Sequence, residues 1–349
     1  MDKKRLVIIG GGFAGSLIAK GLESDFDVTL IDNKDYFEFT PGILRTIVEP
    51  LHIQKVQVLH AHYLKRTTII KGITTQATQK EVIVKTTKGN KKIAFDYLVI
   101  ASGSSYTTII KDENVIAMNR AKKLRDYHEK LKKAKKIVIV GGGVVGIELA
   151  AEIMTHFPDK DMTIVEAGKK IMSRQSEKVS RYAQKFLENR NVKIMFGEKI
   201  TDYNNHHIET DKGKNIHAEI VLMCTGIKPN SSFMKKYFSQ SIDEKGFIKT
   251  NNFLQLEKSE NIFIAGDVAA IREEKLAQNA EHHAKIIIKN IRGLKKDQPL
   301  QEYRQKQRIM VISLGKYNGI ILYKDFMLTG IVAGILKNLI EWFFMAKYP

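Results

Sequence analysis

Arg5–Ile9 is a short β-branched run that stops at Gly10-Gly11-Gly12-Phe13-Ala14-Gly15, and Lys136–Val140 is another that stops at Gly141-Gly142-Gly143-Val144-Val145-Gly146. Each is a G-x-G-x-x-G run between a strand and a helix opening, Ser16–Leu22 in one case and Leu149–Met154 in the other. About 20 residues past each run an acid closes the next strand, Asp32 after Val28–Ile31 and Glu166 after Met162–Val165. Glycine at these positions lets the backbone turn tightly, lets a pyrophosphate approach, and lets helix pack on strand, while the helix N-terminus offers free N–H groups to phosphate. The pair predicts an α/β chain with two Rossmann-like dinucleotide-binding units.

Gly10, Gly12, Phe13, Ala14, Gly15 and Asp32 are the candidates for one dinucleotide, and Gly141, Gly143, Gly146 and Glu166 for the other. Asp32 reads as a ribose partner, with a plain turn acid as the alternative. Glu166 would accept both ribose hydroxyls of NADH and repel a 2′-phosphate, so NADH is expected ahead of NADPH. Lys169 and Lys170 close by can soften that preference, and a solvated strand-end acid is the alternative for Glu166. Two dinucleotides held at once suit a permanent electron store and an exchangeable hydride donor, FAD and NADH. Tyr36-Phe37-Glu38-Phe39-Thr40-Pro41-Gly42 either walls a flavin or packs beneath its own loop.

The chain has 349 residues with 43% apolar and 27% charged, enough to bury a core in each of two ordinary domains. Its formal charge of +19 predicts attraction to a polyanionic surface and says nothing of fold. Anionic lipid is set ahead of nucleic acid, because no zinc-finger spacing or RNA-binding aromatic signature accompanies the charge. The single cysteine, Cys224, forbids an intrachain disulfide and fits a reducing compartment. A charged start at Met1-Asp2 carries neither a secretory signal nor the glycine that myristoylation needs. The expectation is a cytoplasmic protein, peripheral on the cytoplasmic face of a membrane.

Three later runs extend the pattern. Tyr97-Leu98-Val99-Ile100-Ala101-Ser102-Gly103, Leu222-Met223-Cys224-Thr225-Gly226 and Ile262-Phe263-Ile264-Ala265-Gly266-Asp267 follow in the order found in the pyridine nucleotide-disulphide oxidoreductase superfamily, which the chain resembles over residues 1 to about 295. The resemblance implies a glutathione-reductase-like fold with the NAD domain inserted in a split FAD domain. The expected boundaries are 1–105 and 234–300 for FAD, 106–233 for NAD(P)H, and 301–349 for a C-terminal hairpin and helix. It also implies that Arg45, Ala101, Ser102, Gly103, Gly266 and Asp267 line the flavin site and Gly226 the nicotinamide site. Glu148 would point at the nicotinamide or flavin edge, with a dipole-complementing acid as its alternative. Hairpins are expected at Glu81–Thr86 with Lys91–Ala94, turning at Lys88-Gly89-Asn90, and at His206–His217. Arg120–Lys136 reads as a basic amphipathic surface helix with solvated charges.

Disulphide-type relatives carry cysteine just after the first glycine run, yet Tyr36–Arg45 holds none. Cys224 reads as a small buried strand residue, so no thiol relays electrons. That leaves a resemblance to type II NADH:quinone dehydrogenases and to the apoptosis-inducing-factor group with its ferroptosis-suppressor branch. Leu276-Ala277-Gln278-Asn279-Ala280 resembles the quinone-side helix of the former, which nominates Gln278. Leu336-Lys337-Asn338-Leu339-Ile340-Glu341-Trp342 resembles the tail of the latter, which nominates Lys337 and Trp342.

Arg308–Ser313 and Gly319–Tyr323 read as a hairpin with an Asn318-Gly319 tip. Asp325–Lys347 then reads as one helix. Leu328, Ile331, Val332, Ile335, Leu336, Leu339, Trp342 and Phe343 share a broad arc, and Gly330, Gly334, Lys337 and Glu341 lie opposite, the last two as an i,i+4 pair. Two charges near the middle make spanning a bilayer costly, so an in-plane helix with Trp342 and Tyr348 at interfacial depth is expected, with a core or homodimer helix as the alternative. The combined reading is an FAD-dependent NAD(P)H dehydrogenase passing electrons to quinone, without a metal. Its rivals are a soluble NADH-dependent reductase of an iron–sulfur or haem carrier protein, and a flavin-bound NADH sensor.

Overall fold

Arg5–Ile9, Asp27–Asp32, Tyr97–Ile100 and Ile262–Ile264 are largely apolar because they are the covered strands of a parallel sheet, whose edge strand Thr68–Lys71 is more exposed. Arg5–Ile9 is central. Leu6 lies beside Val28 on one side and Tyr97 on the other, and Leu6, Ile8, Val28 and Leu30 are fully buried. The far strand, Ile262–Ile264, pairs with Tyr97–Ile100 across most of the sequence, with Phe263 opposite Val99. A second parallel sheet runs in the order Lys193–Phe196, Asp161–Glu166, Lys136–Val140, Ile220–Met223, all from the intervening stretch. The computed structural model describes residues 3–105, 117–204 and 207–347. Met1, Asp2, His206 and Tyr348 lie outside them.

Helices α1 (Phe13–Leu22), α2 (Ala117–Lys133), α3 (Val144–His156), α4 (Glu177–Glu188), α5 (Ala277–Lys295) and α6 (Ile331–Met345) cover these sheets and a C-terminal meander. In α2, Leu124 and Leu131 are buried at helical spacing, as the basic-helix reading expects. Arg120 departs from that reading. It is 1% exposed and meets Glu38 at 3.4 Å, a buried pair rather than a solvated charge. The chain crosses between the sheets twice, and the crossings are bolted together. Ser102 Oγ donates to the Asn230 carbonyl at 2.7 Å, and Asn230 Nδ2 donates to the Ser102 carbonyl at 3.0 Å.

The expected hairpins are present as parts of three-stranded antiparallel sheets, Ile73–Ala77 with Glu81–Thr86 and Gly89–Ala94, and Ile200–Asn204 with His207–Thr210 and Asn215–His217. Thr86 pairs with Gly89, so the first turn is Thr87-Lys88 rather than Lys88-Gly89-Asn90. The C-terminus departs further. Met310–Ser313, Gly319–Tyr323 and Phe326–Gly330 form a meander, and the helix begins only at Ile331. Lys324 takes φ +53°, which folds Phe326–Gly330 back onto Gly319–Tyr323, and their β-favouring side chains satisfy the ladder instead of a helix turn. Leu328 therefore belongs to a strand. The loop before Gly319 is also longer than an Asn-Gly turn, since Ser313 pairs with Gly319 and Leu314–Asn318 spans the gap, with Gly315 at φ +78°.

Candidate active site

The two glycine runs superimpose in their physics. Gly10 and Gly141 take φ +98° and +105°, and a side chain on either would strike the carbonyl of the crossing strand, Ala101 in one unit and Cys224 in the other. That correspondence explains Cys224, which fills the place of a small buried residue. Burial pushes its thiol up to about 12, so it stays protonated. Gly12 and Gly143 are the N-caps of α1 and α3, and a Cβ on either would meet no protein atom within 4 Å. Free helix N-termini opening onto clear space fit two pyrophosphates. Phe13, Ala14, Gly15 and Gly146 continue the first turns of these helices.

The acids repeat as well. Asp32 Oδ2 accepts the Gly11 N–H at 2.5 Å and Oδ1 the Lys34 N–H at 2.9 Å. Glu166 Oε2 accepts the Gly142 N–H at 2.6 Å and Oε1 the Gly168 N–H at 2.6 Å. Each carboxylate is thus fixed at the lip of its own glycine loop, where ribose hydroxyls of a dinucleotide would meet it. Burial opposes ionisation of Asp32, but His60 and Lys34 outweigh it and hold the carboxyl below its ordinary range. Lys170 Nζ turns away from Glu166 to the Gln175 carbonyl at 2.9 Å.

Gly266 and Asp267 close the first sheet's cleft. Asp267 accepts from Ser104 Oγ at 2.7 Å, and the Gly266 N–H donates to His283 Nδ1 at 3.0 Å. His283 Nε2 then meets Glu273 at 2.9 Å, and Tyr303 donates its hydroxyl to the same carboxylate at 2.6 Å. These bonds make His283, 1% exposed, the support of the Gly266 turn.

A buried ionic cluster gathers Arg45, Glu148 and Lys337 from three separate stretches of chain. Glu148 Oε1 accepts the Ser313 N–H at 2.8 Å. One turn on along α3, Glu152 Oε1 accepts from Ser313 Oγ at 2.9 Å, with Arg45 Nη2 at 3.4 Å and Lys337 Nζ at 3.8 Å. Lys337 donates to Ser313 Oγ at 2.7 Å and to the Gly315 carbonyl at 2.9 Å, and Arg45 Nη1 donates to Asn338 Oδ1 at 3.1 Å. Burial pushes the Glu148 carboxyl up to about 7 and lowers Lys337, the latter against the pull of Glu152. Glu152, Ser313 and Asn338 were missed in the sequence. Only Glu152 left a signal, a second acid four residues after Glu148 in an apolar helix. The expected Lys337–Glu341 pair is replaced: Glu341 meets His52 at 3.0 Å while Lys337 is drawn to the meander.

Gln278 stands apart from the cluster, on the first turn of α5, where its amide donates to the Ile309 carbonyl at 3.0 Å. Ile309 and Ser313 are four residues apart along the meander's leading strand, about 13 Å. The aromatic loop packs rather than opens. Phe37 and Phe39 lie against Phe13, and Phe344 of α6 completes the group at 4.9 Å from Phe39 and 5.3 Å from Phe13.

The model of the pyridine nucleotide-disulphide oxidoreductase family matches residues 4–284. Apoptosis-inducing factor homolog B of Dictyostelium discoideum is 32% identical, covering 91% of this chain and 89% of its own. Ferroptosis suppressor protein 1 of Xenopus tropicalis is 31% identical over 91% and 88%, and that of Homo sapiens 28% over 95% and 92%. NDH2 of Plasmodium falciparum, solved in complex with NADH, has the same fold, with a TM-score of 0.86 at 15% identity over 99% of this chain and 95% of that one. So does the sulfide:quinone oxidoreductase of Aquifex aeolicus, with a TM-score of 0.81 at 20% identity over 99% and 91%. With two dinucleotide cradles in one α/β frame, the chain belongs to the pyridine nucleotide-disulphide oxidoreductase family and is an oxidoreductase that uses FAD and NAD(P)H.

Proposed function

We propose that the chain is an NADH:quinone oxidoreductase that works at the cytoplasmic surface of an anionic membrane. The observation that carries this reading is the inverted seating of α6. Lys337, Asn338 and Glu341 turn inward to Ser313, Arg45 and His52, while Ile331, Val332, Ile335, Leu339, Trp342 and Phe343 are each more than half exposed. A helix that sends its polar side chains in and its apolar arc out is stable in water only if something apolar covers it, and a lipid surface does so in the plane of the membrane. No helix among the described residues is long and apolar enough to cross a membrane. The name of the sulfide:quinone oxidoreductase with this fold lends the acceptor class its support. A homodimer through α6 is the competing cover.

We take residues 1–105 and 234–300 as the FAD-binding domain, 106–233 as the NAD(P)H-binding domain and 301–349 as the tail. Gly10, Gly12, Phe13, Ala14 and Gly15 would hold the FAD pyrophosphate, Asp32 its ribose, and Ala101, Ser102, Gly103, Gly266 and Asp267 the opposite lip. Gly141, Gly143, Gly146, Glu166 and Gly226 would hold the nicotinamide dinucleotide. The Glu166 carboxylate, held at its glycine loop, favours NADH over NADPH, since a 2′-phosphate would meet its charge directly. Flavin, when bound, takes a hydride's electron pair and releases it singly or paired to an acceptor. Glu148, at about 7, can hold or release a proton near neutral pH beside the meander. Lys337 and Glu152 set the field felt by Glu148, and Arg45 pairs with Glu152 at 3.4 Å. Gln278, on α5 beside Ile309, would border the acceptor's path.

Steady-state NADH oxidation with a quinone panel, ferredoxin and oxygen tests the reading. Efficient turnover with quinones supports it. Preference for ferredoxin or a haem protein would move the chain to the carrier-protein reductases, and turnover with none of them to the sensors.

A further inference from the structure

Between α4 and the C-terminal meander runs a groove lined by none of the residues assigned to the two dinucleotide cradles. Its larger part is a cavity of about 670 Å³ with Arg174, Lys178, Arg272, Lys306, Arg308 and Lys324 in its wall. A smaller part of about 470 Å³ continues along α4, adding Arg181 and Lys185 and sharing Lys178 and Met327 with the first. The acids in the same walls are Glu177, Glu273, Glu274 and Asp325. Three are already engaged: Glu273 by His283 and Tyr303, Glu274 by Arg174 at 3.7 Å, and Glu177 by Arg181 at 3.4 Å. Cations remain in excess. Arg308, half-buried, stands in this wall. Its Nε donates to Asn279 Oδ1 at 2.9 Å, while its Nη2 is buried without a hydrogen-bond partner. Burial, then the charges of Arg308 and Lys306, hold neighbouring His282 down to about 4.

We infer that this groove binds the phosphate headgroup of an anionic membrane lipid. A buried guanidinium donor and surplus cations call for an anion with several acceptor oxygens. The walls say which kind. Leu322, Met327 and Phe326 stand among the cations, and Phe326 is 63% exposed. The strand Phe326–Gly330 leads straight into α6, where Ile331 and Val332 are exposed. Charge inside and apolar surface at the rim match a headgroup with acyl chains beside it. A free phosphate or a nucleic-acid backbone has no use for the apolar rim. The inference rests on the proposed docking of α6 to a membrane, and it adds which lipid is preferred and where it is read.

Flotation of the full-length flavoprotein with phosphatidylcholine vesicles, with and without phosphatidic acid, tests it. The wild type should float with both and bind the anionic vesicles about tenfold more tightly or better. Lys178→Glu with Arg181→Glu should keep the phosphatidylcholine binding and lose the anionic gain, and the milder Lys178→Gln with Arg181→Gln should lose much of it. Lys91→Glu with Lys92→Glu, an equal charge change on a distant exposed strand, should keep the gain. Ile335→Ser with Leu339→Ser should lose binding to both vesicles. The groove is not the headgroup site if its variants retain the gain, if the Lys91/Lys92 control loses as much, or if the wild type shows no gain. If instead they lose retention of a single-stranded oligonucleotide while vesicle preference is untouched, the groove reads nucleic acid and the inference is overturned. Wild type that floats with neither vesicle, or an α6 variant that floats as well as wild type, removes the membrane reading itself.

Discussion

Lys337 on α6 and Ser313 on the meander are joined by a 2.7 Å hydrogen bond from Nζ to Oγ, and through that hydroxyl Lys337 is coupled to Glu152. Ser313 in turn ties residues 301–349 to α3, its hydroxyl donating to Glu152 and its N–H to Glu148. Lys337→Ala should leave Ser313 and Glu152 underpartnered, at a cost of roughly 1–3 kcal/mol in stability. Because the field around Glu148 changes, reoxidation by quinone should slow by about tenfold, or about 1.4 kcal/mol of barrier. Stopped-flow half-reactions separate this from flavin reduction by NADH. Wild-type reoxidation in the folded variant would reduce Lys337 to a strut.

Glu148 sets a pH dependence with a definite sign. Its carboxyl is raised from 4.5 to about 7, with burial the largest cause. Below the ordinary glutamate range both folded and unfolded chains hold the proton, and no penalty applies. Between about 4.5 and 7 the unfolded chain gives it up while the folded chain keeps it, so this group's contribution to stability falls as pH rises, and levels off above 7. Other groups titrate in the same window, so the difference between wild type and Glu148→Gln isolates it. The thermal midpoint of the wild type should lose ground to Glu148→Gln from pH 5 to 7.5. A constant difference would mean that Glu148 ionises normally.

Glu166 is held at its glycine loop by two backbone N–H groups, so its carboxylate is presented, not mobile. Glu166→Arg should raise the NADPH/NADH ratio of kcat/KM by about tenfold or more, since a repulsion becomes an attraction for the 2′-phosphate. An unchanged ratio would show that the ribose is read elsewhere.

Cys224→Ser should leave turnover within about tenfold of wild type, because a thiol held protonated in a strand relays no electrons. A larger loss of turnover in a folded variant would revive a thiol mechanism.

The parts of this molecule legible in the sequence were those with a short-range signature. Gly10 and Gly141 announced positive φ, Asp32 and Glu166 announced strand ends, and the two parallel sheets followed. The ionic cluster was half legible. Glu148, Arg45 and Lys337 came from the family resemblance, whereas Ser313 joins them only because the meander pairs Ser313 with Gly319, a contact no local pattern encodes. The tail misled for a related reason. Phe326–Thr329 fits the helical arc as well as it fits a strand, and the decision is made by Lys324 at φ +53° and the ladder to Gly319–Tyr323. Arg120 was misread because its partner Glu38 is distant in sequence.

The tail carries the greatest weight in the proposed function, and its corrected geometry sharpens the test. Leu328 belongs to the meander, so substituting it would damage packing as well as any membrane contact. Ile335, Leu339 and Trp342 are 55%, 54% and 70% exposed, all on α6 and all pointing away from the body. Replacing the three with Ser, Ser and Gln should leave the fold and the bleaching of flavin by NADH intact, since nothing inside is lost. Little more than half of each side chain is left to bury, a gain of roughly 1–2 kcal/mol each, so the triple variant should bind phosphatidylcholine vesicles about a hundredfold or more weakly. If α6 instead seals a homodimer, the same variant should become monomeric in analytical ultracentrifugation while the wild type, dimeric, fails to float. The two outcomes are exclusive for a single apolar arc: a face that is buried against its copy is not available to lipid. Retained flotation of the triple variant would mean that neither cover acts through α6, and the membrane-surface reading would lose the observation it rests on.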